Sequence, residues 1–215
     1  MRKSASLFLF LLSFVFIQNA SAFCDGFETK ISVSTNIGTV KYITTRSKRD
    51  FIRSSPTPVS PNTLGLTVSR VGMTGGYTAN IETEDGKTCV SLKTVDLKLA
   101  NDELTVYIDK KYKPSSCEYK VIKNHEKHHV AVAQQALIFF KPDIEAQVQK
   151  TILNLRPQIV GSAKERDEVL SNQFQQIIND LQPLLEHINK KTAEKNYQID
   201  TPESYARTKE LCKNW

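Results

Sequence analysis

Between Lys30 and Asp109 apolar and polar residues alternate, and from Cys117 onward apolar positions recur at three- and four-residue steps. The first pattern predicts strands at Lys30–Thr35, Thr39–Thr45, Leu66–Val71, Tyr77–Thr83, Thr88–Leu99 and Leu104–Asp109. They are rich in Val, Ile, Thr and Tyr and are separated by turn chemistry such as Asn36-Ile37-Gly38, Gly75-Gly76 and Glu84-Asp85-Gly86. Joined by short turns, they read as an antiparallel meander. The alternation from Val90 to Leu99 changes phase between Leu92 and Val95, so one extra residue, and hence a bulge, is expected there. Ser54–Asn62 is rich in Pro and Ser and reads as a loop. In the second half, Ser116 is a candidate N-cap for a helix over Cys117–Phe140, closed by Pro142. A further helix is expected over Asp143–Leu155. Another spans Lys164–Lys191, where Ile177, Ile178, Leu181, Leu184, Leu185 and Ile188 form a packing stripe and Pro183 should kink or divide the helix. Asp200-Thr201-Pro202-Glu203 looks like the start of a short terminal helix. Strands first and helices afterwards imply an α+β domain.

The first residues change the picture of where this domain works. Arg2 and Lys3, the apolar run Leu7–Ile17 and the triplet Ala20-Ser21-Ala22 have the three-part layout of a secretory signal peptide, residues 1–22, cleaved after Ala22. Residues 23–215 then form a single domain. The apolar run is too short to span a bilayer comfortably, so no stable membrane insertion is expected after cleavage. Phe23 before Cys24 does not suit a lipid-anchored lipoprotein. The expected location is secreted or periplasmic. The formal charge of +6 falls to +4 once Arg2 and Lys3 leave with the leader, and the basic residues are mixed with acidic ones. That distribution argues against a nucleic-acid partner. Four cysteines in an exported chain suggest two disulfides, for which three pairings exist. The preferred pairing is Cys89 with Cys117, tying a strand to the start of the long helix, and Cys24 with Cys212, clamping the chain ends. No C-x-x-C spacing is present to suggest a cysteine zinc cluster or a redox site.

The chemistry lies in Asn124-His125-Glu126-Lys127-His128-His129, which contains H-E-x-x-H. On a helix, His125 and His129 project from one face and can share a zinc ion, while Glu126 reaches water at the metal and serves as general base. His125 and His129 fall on a stripe with Ile122, Val132 and Ala136, the inward side of an amphipathic helix. His128 lies about 100° round the helix from His129 and is expected at the rim or in solvent.

The segment Cys117–Ala133, CEYKVIKNHEKHHVAVA, resembles the active-site helix of the zincin metallopeptidases, and a sheet preceding that helix is also similar to their arrangement. More narrowly, a cysteine-bearing strand, another strand and a cysteine-started helix resemble small exported bacterial proteins that are predicted zinc proteases. The resemblance covers about one tenth of the chain. It implies a zinc-dependent peptidase acting on a peptide or protein substrate, with Zn2+ as cofactor. The metzincin continuation is absent, since Val132 stands at its glycine position and Gln135 at its third histidine. A thermolysin-like glutamate on a following helix finds only Glu145, Glu165 and Glu168, without the surrounding pattern. In the small exported families the last ligand lies in a T-x-H element near the C-terminus, and Thr201-Pro202-Glu203 places Glu203 at that position. His187, at the edge of its helix stripe, is the alternative third ligand.

The leading expectation is therefore an exported zinc metallopeptidase. An amidase acting on cell-wall peptide, and a non-enzymatic envelope or secreted protein in which zinc staples the fold, are the competing readings. Tyr112, Tyr197, Tyr205 and His187 are candidate donors to a developing oxyanion.

Overall fold

The computed structural model describes residues 24, 26–53, 55, 59–60, 62–213 and 215. The signal-peptide reading of residues 1–22 and most of the expected loop at Ser54–Asn62 lie outside these residues. The elements are β1 (Lys30–Asn36), β2 (Lys41–Ile43), α1 (Lys48–Arg53), β3 (Gly65–Glu84), β4 (Lys87–Ile108), α2 (Cys117–Asn154), β5 (Gln158–Val160), α3 (Ala163–Ile199) and α4 (Pro202–Glu210). The chain is a mixed helix and strand protein, and no described helix is long and apolar enough to cross a membrane.

The sheet is organised around β4. Along one side β4 pairs antiparallel with β3 in a long hairpin, turned at Asp85 and Gly86, both at positive φ (50° and 74°). Two successive positive-φ residues match the right-handed twist of the flanking strands, which is why Asp-Gly suits this turn. Along the other side β1 and β2 run parallel to β4, and β5 is antiparallel to it. The expected antiparallel meander is thus not formed. Asn36-Ile37-Gly38 does not reverse the chain: Asn36 Oδ1 accepts the Gly38 amide at 3.1 Å, and the strand path resumes in the same direction. Lys30 faces Thr94 and Lys41 faces Thr105, the same offset before and after the interruption. β1 and β2 are therefore one broken strand.

Two bulges interrupt the β3–β4 ladder. Thr78 pairs with Thr94 and Ala79 with Leu92, leaving Lys93 as the extra residue, at the expected phase change. Arg70 pairs with Glu103 and Val71 with Asn101, leaving Asp102 extra. Each bulge shifts the inward phase of β4 by one, so Val90 and Leu92, then Val95, Leu97 and Leu99, then Leu104, Val106 and Ile108 all point into the core.

Ser116 caps α2 by accepting the Tyr119 amide, as its sequence position predicts. Pro142 does not close this helix, and Pro183 does not divide α3. Both prolines are exposed, so the carbonyls they leave without an amide partner lie towards water, where the lost bond costs least. The C-terminal part of α2 and most of α3 cover the half of β4 before its second bulge, burying Leu137, Ile144, Val148, Ile177, Leu181 and Ile188. A second apolar cluster joins Leu104, Val106 and Ile108 of β4 to Tyr119, Ile122, Val130 and Ala133 of α2 and Tyr205 of α4. That cluster seats the turns of α2 that carry the motif.

The disulfides are Cys24–Cys89 and Cys117–Cys212, correcting both expected pairs. Cys89 sits near the start of β4 and Cys117 follows its end. At a rise of about 3.3 Å per residue the strand path separates Cys89 from the end of β4 by roughly 60 Å, beyond any bridge to Cys117. The Cys117–Cys212 bridge instead fastens the end of α4 to the first residue of α2.

Candidate metal centre

His125, Glu126 and His129 are all buried on α2, one turn apart on the face that meets β3, α3 and α4. The carboxylate that joins the histidines is Asp200, the residue that ends α3. Its Oδ1 lies 3.0 Å from Nε2 of His125 and 3.0 Å from Nε2 of His129, and the two Nε2 atoms are 3.3 Å apart. His129 Nδ1 lies 3.1 Å from Asn196 Oδ1, an acceptor, so Nδ1 carries the hydrogen and Nε2 turns its lone pair towards His125 and Asp200. Tyr205 on α4 donates its hydroxyl to Asp200 Oδ1 at 2.7 Å, and its ring lies 5.3 Å from that of His125.

Glu126 is held separately. Thr67 on β3 donates to its Oε2 at 2.7 Å. Gly65, on the same strand, leaves the space that the carboxylate fills: a Cβ there would lie 2.7 Å from Glu126 Oε1 and 2.9 Å from its Cγ. Burial raises the pKa of Glu126 against the opposing pull of His129 and the Thr67 hydroxyl. Burial pulls His129 down, but the hydrogen bond that its Nε2 donates to Asp200 when protonated, with the charges of Glu126 and Asp200, outweighs this and leaves it raised. For Asp200, burial pushes upward and is overcome by hydrogen bonds from the imidazoles where Nε2 bears a hydrogen, so its carboxyl is held well below the usual range.

Three atoms with lone pairs thus converge on one point and require positive charge there. A proton on the imidazoles supplies it in one way; a divalent cation supplies it in another. With zinc bonds of about 2.0–2.1 Å in a tetrahedral array, ligand atoms are separated by about 3.3 Å. The observed separations of 3.0, 3.0 and 3.3 Å are close to that edge length. Two imidazoles and one carboxylate are an ordinary zinc donor set, and the Asn196 contact fixes the tautomer of His129 as a metal ligand needs. The residues fit a metal ion, and the donor set does not identify which one.

No family model, curated protein or solved structure matches this chain. The site's meaning therefore rests on its own geometry.

Among the residues singled out from the sequence, the structure brings together His125, Glu126 and His129. It does not bring Glu203 to them. Glu203 lies exposed in the first turn of α4, where backbone and Thr201 hydrogen bonds lower its pKa, and Asp200 three residues earlier occupies the position it was expected to fill. His187 is exposed on α3 beside Phe140, and Glu165 is occupied at the start of α3, where it accepts the Gly161 amide. Glu168 is exposed in an ion pair with Lys164, and Glu145 in one with Lys141. His128 faces solvent as expected. Of the candidate oxyanion donors, Tyr205 is spent on Asp200 and Tyr197 is 80% exposed. Sequence reasoning missed Asp200, Asn196, Thr67 and Gly65. Asn196 and Asp200 repeat the four-residue spacing of His125 and His129, a signal available in the sequence.

Proposed function

We propose that this chain is an extracytoplasmic zinc metallohydrolase that cleaves peptide bonds. The observation that carries the reading is the convergence of His125 Nε2, His129 Nε2 and Asp200 Oδ1 beside the buried carboxylate of Glu126. When bound there, zinc supplies a Lewis acid that lowers the pKa of coordinated water to about 7 and polarises a carbonyl. Glu126 then takes a proton from water on its carboxylate and returns it to the leaving amine. The Thr67 hydroxyl holds one carboxylate oxygen of Glu126 at 2.7 Å, so that the carboxylate keeps its orientation. Asn196 and Tyr205 position His129 and Asp200. The outer edge of β3 has no strand partner among the described residues, and Thr67 lies on that strand beside Glu126. An extended peptide can add there by main-chain hydrogen bonds, which supports a peptide as substrate. Two disulfides fit an oxidising, extracytoplasmic compartment.

The test is metal analysis of the purified protein beside its His129→Ala and Glu126→Gln variants, with turnover measured on an unfolded polypeptide such as casein. Stoichiometric zinc in the parent, its loss in His129→Ala, and retained zinc without turnover in Glu126→Gln are expected. Metal content that is the same in the parent and in His129→Ala would sink the proposal.

A further inference from the structure

β3 is a sheet edge along its whole length: one side pairs with β4, and no strand among the described residues pairs with the other. An edge of 20 residues is a template for another strand unless lysine, proline or a bulge blunts it. β3 contains neither lysine nor proline, and both bulges of the hairpin place their extra residue on β4. The strand therefore alternates without a break. Its odd-numbered residues face the helices: Thr67 bonds to Glu126, a Cβ on Gly75 would lie 3.4 Å from Phe174, and the Tyr77 ring lies 5.1 Å from that of Phe174. Its even-numbered residues face away from them.

Two kinds of uncovered side chain lie along this edge. On the helix side, Tyr77 is 37% and Ile81 50% exposed. On the other side, Arg70 and Glu82 are exposed and have no charged partner among the described residues. These positions are arranged about Gly76. When two copies of one strand pair antiparallel across a two-fold axis at Gly76, each residue faces the one equally far on the other side of that glycine. Arg70 then faces Glu82 twice, and Ile81 faces Val71. Tyr77 lies across from Gly75, where an aromatic ring covers a glycine's missing side chain. Gly76 meets itself, and a Cβ added there finds nothing within 4 Å. An axis at Gly75 would set Arg70 against Asn80 and Glu82 against Val68. An axis at Tyr77 would set that ring against its own copy and leave Gly75 uncovered.

We propose that β3 pairs antiparallel with β3 of a second copy of this chain over residues 70–82, joining two sheets at Gly76. The occupant is a second copy because the charges and apolar side chains of this strand complement those of the same strand reversed. The pairing does not rest on the hydrolase reading, but it has a consequence for it. In this register Asp85 of the second copy falls opposite Thr67, so a paired copy and a substrate strand exclude each other there.

The test is sedimentation equilibrium of the purified protein across a concentration series, where a monomer–dimer equilibrium is expected. Arg70→Glu, which sets like charges opposite each other twice, should weaken the dimer about tenfold or more. Arg70→Glu/Glu82→Arg should restore it, and Lys150→Glu, an exposed charge reversal on α2, should leave it unchanged. In an oxidised glutathione buffer Gly76→Cys should cross-link two copies, since its Cα atoms stand at disulfide distance, and Thr74→Cys, which faces Thr78, should not. Melting temperatures equal to the parent's show that the variants are folded. A monomer at every concentration, a dimer that Arg70→Glu leaves unchanged or that the double reversal fails to restore, or equal cross-linking at the two cysteine positions each overturns the pairing.

Discussion

Asp200 shows how three residues' displacement along a chain decides a site. The sequence directs attention to the correct segment, Asp200-Thr201-Pro202-Glu203, but Thr201 caps α4 and Glu203 falls in its first turn, pointing to solvent. Asp200 ends α3, and the break between the helices turns its carboxylate onto α2. That break is tertiary geometry that the local sequence pattern does not encode. Asp200→Ala should therefore lower metal affinity severely and Glu203→Ala should leave it unchanged, as read by competition with a chromogenic chelator. Asn196→Ala, which frees the outer nitrogen of His129, should cost about 10–100-fold in affinity. His125, Glu126 and His129 were legible because a four-residue spacing on an amphipathic helix fixes their face in advance. Gly65 was not, because only the packed structure reveals that Glu126 fills the place of its missing side chain. Protonation adds a test on the metal-free chain. His129 is raised, so its stabilisation is complete below its ordinary value of about 6.5 and is lost as pH rises through the raised value. Glu126 is also raised and changes stability in the same direction. The chelated protein should melt higher at pH 5 than at pH 8, and His129→Gln should reduce that difference.

At the scale of elements, the two disulfides have different work. Cys117–Cys212 fastens α4, and with it Tyr205, over the motif, while Cys24–Cys89 ties the N-terminal segment to the far part of β4. Replacing either pair with serine should reduce stability by about 2–5 kcal/mol. Only the Cys117→Ser/Cys212→Ser protein should also bind metal more weakly, which parallel denaturant melts and metal titrations will distinguish. The helices were legible as positions and not as lengths: Pro142 and Pro183 read as stops, yet both sit on water-facing sides where an interrupted hydrogen bond is tolerated. Strand direction was less legible still. Asn36-Ile37-Gly38 has the composition of a reversing turn, and what makes it an interruption in one continuing strand is the pairing of both flanks with β4. Nonlocal pairing of that kind leaves no mark in alternation.

Across the whole molecule, the candidate metal ligands join α2 to the end of α3, so occupancy is linked to global stability. A metal at 1,000 times its dissociation constant adds about 4 kcal/mol to unfolding. Chelation should lower the melting temperature of the parent and have little effect on His125→Ala/His129→Ala, measured by calorimetry. The long central strand has a consequence of its own for what lengths of chain this fold accepts. Lys93 and Asp102 are supernumerary against β3: with Asp102 deleted, Asn101, Glu103 and Leu104 would follow one another inward, outward, inward, and the β3 pairing on both sides of the bulge could keep its partners, while the interruption between β1 and β2 would take up the missing residue on the other side. Loss of a single codon at that point therefore spares the core, although a bulge also bends its strand. This one lies between the middle of β4 and the Val106–Ile108 stretch that pairs with Gly65 and Thr67. The shortened chain should fold and keep its metal, whose ligands are all helical or at a helix end, while β3 approaches Glu126 along a different line. Turnover lost with metal content intact would mark Asp102 as a spacer whose contribution is its presence in the count, independent of its carboxylate, and Asp102→Ala should then be nearly silent.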